Sequence, residues 1–138
     1  MSGMRISALL ITSVLLGACA ALDDKEGRRE ETAIADFIEV NELASVDSIR
    51  TLDQLSSSSA SELYIIVSTR REDYLLEYYS RCMKRFDGRV EPDVRQDSRA
   101  LYPRIDTFRG CRIKAIYALE PGQADEIKAL GRSVGGDR

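Results

Sequence analysis

Apolar positions along the chain come in short runs separated by charged or small polar stretches, and the spacing inside each run sets its element. LYIIVST (residues 63–69) is dense in β-branched and aromatic residues and predicts a strand. CRIKAIYAL (residues 111–119) predicts another, with Ile113 and Ala115 on one side and Lys114 and Ile116 on the other. Ahead of them, ADFIEVNEL (35–43) and SVDSIRTLD (45–53) are short mixed segments, the first alternating only loosely. QLSSSSASE (54–62) reads as a Ser-rich surface loop.

RREDYLLEYYSRCMKRFDG (70–88) has two readings. As a helix it sets Leu75, Leu76, Tyr79, Cys82, Met83 and Phe86 on one face, with Gly88 as a stop. As a strand it puts Tyr74, Leu76 and Tyr78 on one side, and TRRED makes a hairpin turn from the preceding strand. Periodicity alone favours the helix. The polar stretch 89–106, broken by Pro92 and Pro103, holds one strand near 98–102. PGQADEIKALGR (121–132) predicts a short C-terminal helix with Asp125 and Glu126 near its start and Gly131 near its stop; SVGGDR is a frayed tail. Together these elements predict an α+β fold: a small β-rich domain of about four to six mostly antiparallel strands with a short C-terminal helix.

Composition keeps this picture within a single domain. The 138 residues, 43% hydrophobic and 31% charged, suit one folded unit and argue against disorder. The net charge of −3 implies no nucleic-acid partner. Its distribution is uneven: residues 19–69 carry 4 basic and 11 acidic side chains, a net of −7, whereas residues 70–114 carry 12 basic and 8 acidic, a net of +4. Either the two stretches pack side by side and neutralise one another, or the Arg-rich one faces an anionic component or an acidic protein.

The N-terminus carries the sharpest signal. Arg5 precedes ISALLITSVLL (6–16), an uncharged run of 11 residues, too short for a transmembrane helix, which needs roughly 20. Small residues then lead to Cys19. Leu16-Gly17-Ala18-Cys19 resembles the lipobox of bacterial lipoproteins. That resemblance implies a signal peptide over residues 1–18, cleavage before Cys19, a diacylglyceryl group on its thiol and an acyl group on its new amine. One acyl chain holds a protein only marginally, at about 0.8 kcal/mol per buried methylene, so the several chains implied here would anchor it durably. Ala20, where Asp would favour inner-membrane retention in enterobacteria, points by the same resemblance to the periplasmic leaflet of the outer membrane. DDKEGRREET (23–32) then reads as a solvated tether within a lipidated segment 19–33, followed by one globular domain over 34–132 and a tail over 133–138.

With Cys19 assigned to lipid, Cys82 and Cys111 form an even remainder in an oxidising compartment and predict one disulfide; two reduced buried thiols are the alternative. SIRTLD (48–53), YLLEYYSRC (74–82), RID (104–106) and CRIKAIYAL (111–119) resemble a family of small Gram-negative lipoproteins with a domain of unknown function, over most of residues 34–130. The resemblance favours a strand, then a helical turn around Cys82, for the ambiguous segment. It implies no catalytic residues.

Catalytic chemistry finds little purchase. The chain has no His, which removes the usual base of a hydrolase triad and the usual ligand of zinc, haem or copper sites. Neither phosphate-binding glycine motif occurs, and DGRVEPD (87–93) lacks the ligand spacing of a calcium loop. No cofactor or metal is expected. Binding residues are easier to nominate. Tyr74 and Tyr78 offer apolar area with a polar handle, and Arg70, Arg71, Arg81 and Arg85 offer planar forks for carboxylates or phosphates. The expected function is a membrane-anchored, non-catalytic interaction or structural module whose partner is an envelope protein or an anionic envelope component. An envelope enzyme working through carboxylates, or through a Ser-Lys pair, on cell-wall sugars or peptides is the alternative.

Overall fold

The computed structural model describes residues 18–50, 55–82 and 93–132. Most of the leader, Arg85 and the tail at 133–138 lie outside the described residues. The described chain forms helix α1 (Ala18–Val40), strands β1 (Ile49–Arg50), β2 (Ser56–Ser59), β3 (Tyr64–Ser68), β4 (Asp73–Tyr78), β5 (Ala100–Leu101), β6 (Thr107–Phe108) and β7 (Cys111–Leu119), and helix α2 (Gln123–Arg132). Five strands make an antiparallel sheet in the order β2-β3-β4-β7-β6, and β1 pairs antiparallel with β5. The fold is α+β and β-rich with a C-terminal helix, as the periodicity predicts.

Strand β3 is apolar from Tyr64 to Val67, and β4 carries adjacent Leu75 and Leu76, because both faces of the sheet are covered. All four residues from Tyr64 to Val67 are buried. On one face Ile65, Val67, Leu76, Tyr78, Ile113 and Ile116 pack with Ile49, Leu101 and Phe108. On the other, Tyr64, Ile66 and Leu75 pack with Ile34 of α1 and with Ala124 and Ile127 of α2. This two-sided burial decides the ambiguous segment: adjacent Leu75 and Leu76 are both fully buried, each on its own face, which a strand permits. Residues 73–78 are accordingly strand β4, and Cys82 lies in irregular chain rather than in a helical turn.

The turns follow local chemistry. Thr69 closes the β3–β4 hairpin: its hydroxyl accepts from the Arg71 and Glu72 amides at 3.3 and 3.0 Å, and its own amide donates to the Glu72 carbonyl at 2.9 Å. The β6–β7 hairpin turns on Arg109 and Gly110, both at positive φ (53° and 75°), as a two-residue hairpin of the right-twisting kind requires. Helix α1 ends in a Schellman arrangement. Leu43 N donates to Ile38 O at 3.0 Å and Glu42 N to Glu39 O at 3.1 Å, with Glu42 in the left-handed region at φ 48°.

Three expectations change. The run 23–32, read as a solvated tether, belongs to α1; its Lys, Arg and Glu residues are good helix formers, and the helix is held where Ile34, Phe37 and Ile38 meet the sheet. The Ser-rich stretch is not a loop throughout: Ser56–Ser59 is edge strand β2, whose backbone pairs with β3 while its polar side chains need no core. The alternation assumed for β7 breaks at Lys114, because Glu77 pairs with Ala115 while Tyr78 pairs with Ile113; the extra residue lets Ile113 and Ile116 reach the same core cluster. Gly131 stands one residue before the end of α2, near its stop as expected, and a Cβ there would collide with the carbonyl oxygen of Ala60.

Candidate functional site

Two polar constructions stand out, one beneath α1 and one at the end of the sheet where β4 finishes and β7 begins. The first centres on Glu77, an acidic residue on the inward side of β4, in line with Leu75. The bulge at Lys114 swings that side chain to it: Lys114 Nζ lies 2.7 Å from Glu77 Oε1, and the Tyr117 hydroxyl donates to Oε2 at 3.2 Å. Burial, and then the Glu77 charge, hold the Tyr117 phenol above its ordinary range. The same two causes, in the same order, act on Tyr64. Both phenols therefore stay neutral.

A few residues on, Arg81 grips α1. Its Nε donates to Glu31 Oε1 at 3.0 Å and its Nη2 to Oε2 at 3.2 Å, a forked charge-assisted pair, with Glu62 Oε2 3.9 Å away. Burial, followed by the neighbouring carboxylates of Glu26, Glu31 and Glu62, raises the Glu30 carboxyl above its usual value. Arg81 thus lies between the carboxylates of Glu31 and Glu62 in this seam.

At the end of the sheet, fully buried Asp106 organises the loop: its two oxygens accept from the amides of Gln96 and Tyr102, each at 2.8 Å. Arg112 donates twice to the Arg104 carbonyl, at 3.1 and 2.8 Å, while its guanidinium sits 5.7 Å from the centroid of the Tyr79 ring. Cys82 and Cys111 are joined in a disulfide with Cα atoms 5.8 Å apart, tying the chain just beyond β4 to the start of β7.

The sequence-nominated binding residues do not converge. Arg70 and Arg71 are exposed in the β3–β4 turn, whereas Arg81 lies beyond the opposite end of β4, roughly 20 Å of strand away. Tyr74 and Tyr78 share a face, but Tyr78 is buried and donates to the Phe108 carbonyl at 3.1 Å. Its phenol is pushed up by burial, against the nearby Arg109 charge. Tyr74 is half-buried, bonds Glu72 through its hydroxyl, and is pushed up to about 12, first by burial and then by that bond. Sequence reasoning passed over Glu31, Glu77, Asp106 and Lys114. Only Glu77 carried a local signal, as an acid at an inward position of an apolar strand.

Chemically, the seam is matched internally. Both Glu77 oxygens and both Glu31 oxygens are occupied, Lys114 is spent on Glu77, and Lys128 lies 3.8 Å from Asp125. Among the described residues no buried side-chain polar atom lacks a partner, and no group of three or more His, Cys, Asp or Glu is placed to hold a metal ion. Such an arrangement fastens a helix to a sheet. Compared with known proteins, the chain matches no family model, no curated protein and no solved structure.

Proposed function

We propose that this chain is a bacterial lipoprotein, anchored through Cys19 to the periplasmic leaflet of the outer membrane, whose domain is a non-catalytic interaction or structural module of the envelope. The observation that carries it is Leu16-Gly17-Ala18-Cys19 at the end of a short uncharged run. The Cys82–Cys111 disulfide supports it, since such bonds persist in oxidising compartments and rarely in the cytosol. The resemblance of residues 48–53, 74–82, 104–106 and 111–119 to small Gram-negative lipoproteins belongs to the same proposal. A non-catalytic role draws support from the internally matched seam. Among the described residues no helix is long and apolar enough to cross a membrane, so attachment in this reading rests on acyl chains. In the test, Cys19→Ser abolishes palmitate labelling and moves the protein out of the membrane fraction; unchanged labelling and fractionation would overturn the proposal.

A further inference from the structure

We infer that the loop end of the sheet, around Tyr79, Val94, Arg104, Ile105 and Arg109, is a docking face for an anionic phospholipid surface. Four large hydrophobic side chains are exposed among the described residues, and three of them sit here: Tyr79 at 51%, Val94 at 65% and Ile105 at 54%. They belong to one loop system. The amide and carbonyl of Val94 bond Thr107, Ile105 lies between Arg104 and buried Asp106, and Arg112 links the Arg104 carbonyl to the Tyr79 ring.

The charge around these residues is one-sided. Residues 93–112 carry five arginines (Arg95, Arg99, Arg104, Arg109 and Arg112) against Asp93, Asp97 and Asp106, in a chain whose overall charge is −3. Asp106 is buried and spent on backbone amides, while Asp93 accepts from Gly110 and pairs with Arg95 at 4.0 Å. Arg99, Arg104 and Arg109 are exposed. The loop is also preset: Arg104 holds φ 68° because its amide donates to the Ile113 carbonyl at 2.7 Å and its carbonyl takes the Arg112 fork. Such preorganisation lowers the ordering cost of docking.

Position selects lipid over an acidic protein. The face is a loop end, and it mixes apolar side chains with arginines in the manner of an interfacial contact. It also lies on the side from which the N-terminal part of α1 emerges. The C-terminal end of α1 is followed by Ala44, which bonds Ala118 at the far end of β7. Gly27 and Glu31, by contrast, lie beside Arg81, next to Cys82 and the carbonyl of Arg109. Cys19 is about 12 Å of helix beyond Gly27. The way the face is brought to a membrane rests on the anchoring proposed for Cys19; its affinity for anionic lipid does not.

The chain contains no Trp, so a single one reports the contact. The full protein, purified and mixed into vesicles of phosphatidylglycerol and phosphatidylethanolamine, is compared as Ile105→Trp and as Arg71→Trp at the opposite end of β4. The Ile105→Trp indole shifts to the blue and is quenched by brominated acyl chains, whereas the Arg71→Trp indole is not. Each arginine near such a surface contributes roughly fivefold, so adding Arg104→Glu and Arg109→Glu lowers the docking equilibrium roughly 25-fold or more and removes the quenching. Arg70→Glu with Arg71→Glu, an equal change of net charge, leaves it in place. Flotation separates the two readings: a protein that floats with the vesicles while its Ile105→Trp emission stays unquenched would overturn the docking face and leave the anchor standing. Equal quenching at both ends, or retention by an Asp/Glu-rich peptide without any vesicle contact, would also overturn it.

Discussion

Replacing Cys82 and Cys111 together by alanine opens a loop whose ends are 29 residues apart in sequence. In the chain-entropy description, closing a loop of about 30 residues removes about 12 cal/mol/K from the unfolded chain, or about 3.6 kcal/mol at 25 °C. Native-state losses add little. Both cysteines are only partly buried at the margin of the core cluster, Cys82 keeps its amide bond to the Glu62 carbonyl at 2.7 Å, and Cys111 keeps its pairing with Phe108. The penalty is therefore large against a net stability of about 5–15 kcal/mol, yet it falls mainly on the unfolded state. Urea unfolding followed by circular dichroism should show a midpoint lower by roughly 1.5–3 M, with a thermal midpoint lower by about 15–25 °C. Cys82→Ala alone should cost nearly as much as the pair, since either change opens the loop. A loss under about 1 kcal/mol from a wild type verified as oxidised would refute the reasoning. So would a double variant that has lost its sheet spectrum without denaturant, because the bond would then be needed to form the native contacts.

Other perturbations probe the seam and the packing. Arg81→Met strands a Glu31 carboxylate that is 15% exposed beside other acids, and should cost about 2 kcal/mol, below the full cost of breaking a buried pair, while hastening amide exchange in α1; Arg81→Lys should recover only part of it, lacking the fork. An unchanged urea midpoint for Arg81→Met would contradict this. Glu30 has its folded pKa raised, so the fold favours its protonated form. Wild-type stability should then fall as pH rises from the ordinary value of 4.5 through the raised one, and Glu30→Gln should remove that decline and be the more stable protein at pH 7. Thermal melts across pH 4 to 8 would check it, and parallel curves for the two proteins would count against it. Gly131→Ala should destabilise despite a helix-propensity gain of about 1 kcal/mol, because the new methyl meets a backbone carbonyl and overpacking costs about 1–3 kcal/mol; a higher melting temperature would refute the close approach.

Legibility in the sequence followed the strength of local apolar signals. β3 and β7 were plain because β-branched runs leave few other options, and the hairpin turn at Thr69 announced itself in its charges. β4 was ambiguous because Leu75 and Leu76 suit a helix face as well as two sides of a strand; two-sided burial settles it, and that is a tertiary fact. The Ser-rich strand β2 was invisible, since an edge strand draws its stability from β3's backbone rather than from its own side chains. The charged half of α1 looked like a tether because its main hold on the domain is the Glu31–Arg81 pair, 50 residues apart in sequence. The same distance problem hid the Glu77 cluster, whose partners lie 37 and 40 residues away and meet it only through the β4–β7 register and the bulge at Lys114. The cysteine pair was legible because the resemblance at Cys19 left two thiols to match.

The most direct test is the intact mass of the native protein extracted from bacterial membranes, measured with and without reduction and alkylation. The account predicts a chain that begins at Cys19, carries the mass of a diacylglyceryl group and an amide-linked acyl group, and offers thiols at Cys82 and Cys111 only after reduction. A chain that begins at Met1 or Met4, without acyl mass and with both thiols open to alkylation as isolated, would contradict it.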